Sequence, residues 1–186
     1  MAVEQAERAG FRVRLAEPRD VPALARVHVE SWHAAYTGII SPKNLAATTA
    51  RRSTARFRGY FVSGGQERSL MQVLEGESGV VGYANSGVSY SKKLGARGEV
   101  FELYLLPEAQ GRGGGRKLLS AALWSLSGWR LMPAIVWALA DNHRARRFYL
   151  GMRGRERAHG HTTVGDQRLA RVGYLWSDYL PWPEFL

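Results

Sequence analysis

The stretch "EVFELYLLPEAQGRGGGRKLLSAALW" (99–124) decides how this chain folds. Residues 99–106 are rich in strand formers, and Pro107 stops the run. Four glycines then fall within 111–115, threaded with Arg112, Arg116 and Lys117. From there Leu118, Leu119, Ala122, Leu123 and Leu126 recur at helical spacing. Strand, glycine turn and helix together make an anion site. The first helical N–H groups have no intrahelical partner and carry the positive end of the helix dipole. Glycine lets an anion approach them closely. Arg116 and Lys117 fall in the first turn, where the dipole disfavours cations, and a bound polyanion would reverse that sign.

Register then narrows the anion. The nucleoside-triphosphate loop requires glycine directly before Lys-Ser or Lys-Thr. Here Arg116 precedes Lys117 and Leu118 follows. The dinucleotide fingerprint G-x-G-x-x-G begins at Gly111 and Gly113 but meets Arg116 where its third glycine belongs. What remains is Gln110-x-x-Gly113-x-Gly115 behind a strand ending Leu-Tyr-Leu-Leu-Pro.

Working outward, 186 residues suit one domain over 1–186, with a loose start at 1–10 and an aromatic, proline-rich tail at 177–186. No run reaches the apolar length of a membrane span, and the start lacks a signal core, so a cytoplasmic protein is expected. The chain has no cysteine, which excludes thiolate nucleophiles and thiolate metal sites. The net charge of +10 suits a phosphorylated ligand but does not identify one.

"FRVRL" (11–15) reads as a first strand, and Asp20 as the N-cap of a helix running to about Ala35. A weaker helix covers 42–57. Segments 69–75 and 79–90 form a hairpin, and 99–106 a strand. A helix follows the glycines, then a buried strand at 134–140 and a short helix at 141–150 capped by Asp141 or Asn142. Two weaker strands lie near 153–159 and 168–176. The order β-α-α-β-β-β-α-β-α-β-β is mixed α/β with an antiparallel front half, not a regular β-α repeat.

Three segments together resemble the GNAT superfamily of N-acetyltransferases over roughly residues 11–176. The Gln110–Gly115 loop behind its strand is similar to that family's acyl-CoA pyrophosphate loop, Q/R-x-x-G-x-G/A after L-Y-V-x-P. "SWHAAYTGIISPKNL" (31–45) resembles the helix-turn-helix opening of one branch, and "DNHRARRFY" (141–149) its N-x-x-A-x-x-F-Y helix. The resemblance implies a mostly antiparallel central sheet with helices on both faces. It implies acetyl-CoA as donor, no metal, and a small-molecule or protein amine as acceptor. Backbone groups of Leu103, Tyr104 and Leu105 would pair with the pantetheine arm. Gly111, Arg112, Gly113, Gly114, Gly115 and Arg116 would hold the pyrophosphate beside Gln110. Asn142 would reach the cofactor from the far side, and Arg146, within the basic run 144–147, its adenosine phosphates.

Acyl transfer needs a neutral amine, an oxyanion donor and a proton for the leaving thiolate. Without cysteine, direct attack by the amine is the economical route. The resemblance implies Tyr149 as the acid, its hydroxyl reaching the sulfur as the equivalent tyrosine does in similar enzymes, and the Leu105 N–H is the expected oxyanion donor. Relative to the family pattern F-Y-x-x-x-G-F, Gly151 comes two positions early, which predicts an early end to the helix carrying Tyr149. Glu99 and Glu102 are candidate bases. Three residues apart on a strand, they are expected on opposite faces; the resemblance favours Glu99, which lies eleven residues before Gln110, as the base does in some histone-directed members of the superfamily. Glu30, Trp32, Tyr36 and Tyr90 are candidates for the acceptor pocket. An acyl-CoA sensor without catalysis, or a basic nucleic-acid binder on the same fold, is the alternative. The sequence leaves a homodimer through the tail open.

Overall fold

A computed structural model describes residues 10–90 and 94–178. The start and the tail expected at 1–10 and 177–186 lie almost wholly outside the described residues. Seven strands form one sheet: β1 (Arg12–Leu15), β2 (Ser69–Gly76), β3 (Gly79–Val88), β4 (Gly98–Leu105), β5 (Ala134–Leu139), β6 (Arg155–Val164) and β7 (Gln167–Trp176). Their order is β1-β2-β3-β4-β5-β7-β6. Every neighbouring pair is antiparallel except β4–β5. The helices are α1 (Val21–Tyr36), α2 (Pro42–Ala46), α3 (Ala50–Val62), α4 (Gly114–Gly128) and α5 (His143–Gly151). No described helix is long and apolar enough to cross a membrane.

The two faces of the sheet follow from side-chain alternation. Tyr83 and Tyr104 are register partners and point toward α1 and α3, where Phe57 meets Tyr83 edge-on at 5.3 Å. Gly82 and Leu105, one residue along, point toward α4. The helical stripe read from the sequence, Leu118, Leu119, Ala122, Leu123 and Leu126, is fully buried there. Each buried leucine contributes on the order of 2 kcal/mol from apolar burial.

Three local expectations change. The weak helix at 42–57 is two helices, because Thr49 breaks it with its own cap: its Oγ1 accepts the Arg52 N–H at 3.3 Å. Ser41 caps α2 in the same way through Asn44. Asp20 stands at the N-cap of α1 as expected, but its side chain makes no cap bond to the helix. Its carboxylate accepts the Glu17 N–H and both Arg14 Nη groups, closing the turn at Pro18–Asp20. The last strands are longer than expected. β6 is an edge strand with few buried side chains, so its apolar alternation is too thin to mark its ends.

Two irregularities in β4 build the site. First, β4 pairs with β5 only over Gly98–Val100, opposite Ala134–Val136. Beyond that β4 continues on β3 alone and β5 on β7 alone, so the strands part. Second, Asn85 faces Glu102 while Ser86 faces Val100, so β4 carries one extra residue, Phe101. The bulge resets the alternation. Glu99, opposite Gly87, and Glu102, opposite Asn85, therefore register to the same face, not to opposite faces as simple period-two counting predicts.

Candidate active site

A cavity of about 750 Å³ opens where β4 and β5 part. It is walled by the glycine loop, by α5 and by the C-terminal half of α1.

At the glycine end Gly111, Gly113 and Gly115 present main chain to the cavity, with Arg116 beside them. Gly111 and Gly113 both have positive φ, 76° and 84°, and Gly113 is the N-cap of α4. A side chain at either position would be strained. Gly115 faces the cavity, and a methyl added there would lie 3.4 Å from the Phe148 ring. Gly114 does a different job. Its added methyl would meet Leu74 Cδ2 at 2.7 Å and Phe11 at 3.3 Å, so this glycine seats α4 on the sheet. Arg112 turns outward over the Phe11 ring, 5.4 Å from its centroid. Gln110 donates through Nε2 to the Leu105 carbonyl at 2.8 Å, tying the loop to the strand end.

The backbone of β4 can be assigned by alternation. The Leu106 N–H donates to the Val81 carbonyl at 2.9 Å, toward β3. Leu105 and Leu103 therefore turn their peptide groups toward the gap. The Tyr104 peptide faces β3, opposite Tyr83, so it is not open to a ligand strand. The Tyr104 side chain lines the cavity instead.

The far wall is α5. Asn142 Oδ1 caps it by accepting the Ala145 N–H at 3.0 Å, which leaves the Nδ2 end as the donor for a ligand. The early glycine does not shorten the helix, which runs to Gly151. Arg153 takes the left-handed conformation (φ 60°), and the Gly154 N–H returns to the Tyr149 carbonyl at 2.9 Å. This is a Schellman close with arginine in the position that favours glycine. Trp176 Nε1 donates to the Met152 carbonyl at 2.8 Å and braces the same end. Tyr149 is thus held buried against Tyr174 and Trp176, and it lines the cavity. Burial first, and the neighbouring Tyr36 second, push its hydroxyl well above the usual phenol range, so it stays protonated.

The α1 end is built from side chains. Glu102 lines the cavity and accepts Arg56 Nη1 on Oε1 at 2.7 Å. Arg56 also donates to the Tyr83 hydroxyl at 3.3 Å. Glu102 Oε2 is buried without a hydrogen-bond partner. The Tyr36 and Tyr104 hydroxyls lie 3.4 Å apart beside it. Burial raises the pKa of Tyr104, with Tyr36 and Tyr83 adding to it. His28, half-buried among these rings, bonds through Nδ1 to Ser53 Oγ at 2.9 Å. Burial and then Arg56 lower its pKa to about 4, so the imidazole is neutral.

The sequence profile of the Acetyltransferase (GNAT) family matches residues 29–152. The chain belongs to this family. The uncharacterized N-acetyltransferase YuaI of Bacillus subtilis is 29% identical over 167 residues, covering 89% of this chain and 92% of the relative. An uncharacterized N-acetyltransferase of Archaeoglobus fulgidus is 30% identical over 144 residues, covering 75% and 89%. Among solved structures, PaiA N-acetyltransferase of Thermoplasma acidophilum in complex with coenzyme A superimposes with a TM-score of 0.67 at 19% identity, covering 87% of this chain and 98% of that one. The fold is therefore the mixed, mostly antiparallel GNAT fold.

Within this acetyltransferase the expected residues separate into two groups. Tyr149, Glu102, Leu103, Tyr104, Leu105, Gln110, Gly111, Gly113, Gly115, Arg116, Asn142 and Tyr36 line the one cavity. The others lie elsewhere. Glu99 is buried, and its Oε2 accepts Ser89 Oγ at 2.9 Å and the Tyr90 N–H at 3.2 Å. Arg146 donates to the Tyr174 hydroxyl and the Ala140 carbonyl, away from the cavity. Arg144 and Arg147 line it instead. Their spacing of three places both on one helical face, a signal present in the run "RARR". Glu30 is solvent-exposed. Trp32 stands behind Tyr36 at 4.6 Å, and Tyr90 is 88% exposed on the Phe101 ring. Sequence reasoning missed Arg56, whose importance depends on a contact across 46 residues.

Proposed function

We propose that this acetyltransferase, acting as a single domain, moves an acetyl group from acetyl-CoA to a primary amine by direct attack. The observation that carries this reading is the presence of Tyr149 and Glu102 in one cavity at the parting of β4 and β5. The residues fit the donor. Glycines without Cβ atoms bare the start of α4, Arg116, Arg144 and Arg147 supply positive charge, and β4 offers unpaired peptide groups.

When bound, acetyl-CoA supplies a thioester carbonyl open to a neutral amine. Glu102 takes the proton of the incoming ammonium and passes it to solvent. The Leu105 N–H, turned into the gap, donates to the developing oxyanion. As the C–N bond forms and the C–S bond breaks, the Tyr149 hydroxyl gives its proton to the departing sulfur. Tyr149 regains a proton from the new amide nitrogen. Overall one ammonium and one thioester give one amide, one thiol and one proton.

The test is release of free CoA by the full chain in the presence and absence of primary amines. The reading requires release that depends on amine and yields a stoichiometric amide. Tight acetyl-CoA binding with no turnover across a broad amine panel would leave a sensor instead.

A further inference from the structure

The walls of the cavity are sorted by charge, and that sorting bears on the acceptor. Among the described residues, the arginines of the lining, Arg116, Arg144 and Arg147, stand at the glycine loop and α5. The α1 end of the lining carries one carboxylate, Glu102, and no lysine or arginine. The walls beside it are uncharged: apolar Ala34, Ala35 and Ile39, with Ser31 and the Tyr36 and Tyr104 hydroxyls.

A second observation concerns unmet hydrogen bonds. Glu102 Oε2, Asn85 Oδ1 and Ser31 Oγ are all buried without a partner. Asn85 faces Glu102 across the β3–β4 register on the same side of the sheet, and Ser31 lines the cavity from α1. All three atoms can accept a hydrogen bond, and two can do nothing else. Buried acceptors left unmet are costly and rare in folded proteins. A primary ammonium brings N–H donors and one positive charge, which complements Glu102 Oε2 and Ser31 Oγ, the two of these acceptors whose residues line the cavity.

We infer that the acceptor is a primary monoamine carried on an apolar body, with its ammonium received by Glu102. This rests on the transfer reading above and specifies its substrate. A polyamine would press further ammonium groups against Ala34, Ala35 and Ile39, since the other carboxylate of the lining, Asp141, stands at the start of α5 beside Arg144 and not at the α1 end. An amino acid would set its own carboxylate beside Glu102. Arg56 is the nearby cation, and it already serves Glu102 and Tyr83.

The experiment uses the full chain with three acceptor sets: 2-phenylethylamine and hexylamine, spermidine, and L-glutamate with L-lysine. The expected kcat/KM is roughly 10- to 100-fold higher for the first set, the span of a charge-assisted hydrogen bond made or left unpaired. Glu102→Gln is expected to cost the first set a similar factor. Calorimetric binding of 2-phenylethylamine to the CoA complex should weaken with it, while acetyl-CoA affinity stays unchanged. Preference for spermidine or an amino acid overturns the inference. So does a Glu102→Gln variant with unchanged amine binding and rate. Failure of wild-type chain to bind acetyl-CoA would be a distinct result, removing the transfer reading and this inference with it.

Discussion

At the glycine end of the cavity the lining is mostly main chain, from the glycines of the loop and from parted β4. At the α1 end it is side chains: Glu102, the Tyr36–Tyr104 pair, Arg56 behind them. The first end is fixed by where side chains are missing, the second by how side chains from three elements pack. A backbone cradle is written locally, in a run of a dozen residues. A side-chain pocket is written in contacts between α1, α3 and β4, separated by dozens of residues. The two ends should also respond differently to change, and the predictions below exploit that.

The largest effect is expected where the two ends meet. Tyr149→Phe should lower kcat by about 10²- to 10⁴-fold, the span of general acid catalysis. Acetyl-CoA affinity should not change, since the cradle is main chain. Because the Tyr149 hydroxyl is pushed well above its usual range, the wild-type rate should show no fall from this group near neutral pH. Steady-state rates and a titration of the variant decide this, and an unaltered kcat rejects the acid role.

Next come two adjacent glycines with opposite duties. Gly114→Ala forces a methyl to 2.7 Å from Leu74 and should destabilise the fold by about 1–3 kcal/mol, as overpacking does. Gly113→Ala puts a side chain on a positive-φ backbone in the cavity wall and should cost less stability than Gly114→Ala. Its acetyl-CoA affinity should fall roughly tenfold, a change of about 1.4 kcal/mol. Thermal melts and titrations of both variants would break the comparison if the effects came out exchanged.

A smaller gain is expected at the end of α5. Arg153→Gly relieves a left-handed arginine at a Schellman position and should stabilise the protein by about 1 kcal/mol. Denaturant unfolding measures it, and a loss of stability would show that the arginine side chain outweighs the strain.

The smallest effect is the pH response of the α1 end. His28 has its folded pKa lowered to about 4, against about 6.5 in an unfolded chain. Between those values the unfolded chain binds the proton and the folded one does not. Stability is therefore full above about 6.5 and falls as pH drops toward 4. A His28→Asn variant should show a shallower acid slope than wild type in unfolding experiments from pH 7 to 4. An identical slope would assign the acid loss to other groups.

This contrast also explains what could be read from the sequence. The strand, the glycine register, the stripe of α4 and the Asn142 cap are local patterns, and they stand where the sequence places them. The sequence favours Glu99 over Glu102, yet Glu102 is the one that lines the cavity; the bulge at Phe101 depends on the pairing of β3 with β4 and leaves no local mark. Arg146 and Arg147 are adjacent in sequence, and only the position of β7 shows that Arg146 is taken by Tyr174. The early Gly151 was a misleading sign. Arg153 adopts the turn without glycine because Gly154 and Trp176 hold the helix end from outside. Tyr90 and Trp32 look alike as aromatic candidates, yet one is solvent-exposed and the other is packed behind Tyr36.

The central claim is that a main-chain cradle at Gly111–Arg116 holds the donor. It is tested most directly by isothermal titration of acetyl-CoA into the folded chain, wild type beside Gly113→Ala, which strains the left-handed turn of the loop. The account predicts one saturable site in the wild type and a clearly weaker one in the variant. No binding to folded wild-type chain, or equal affinity in both, would contradict it.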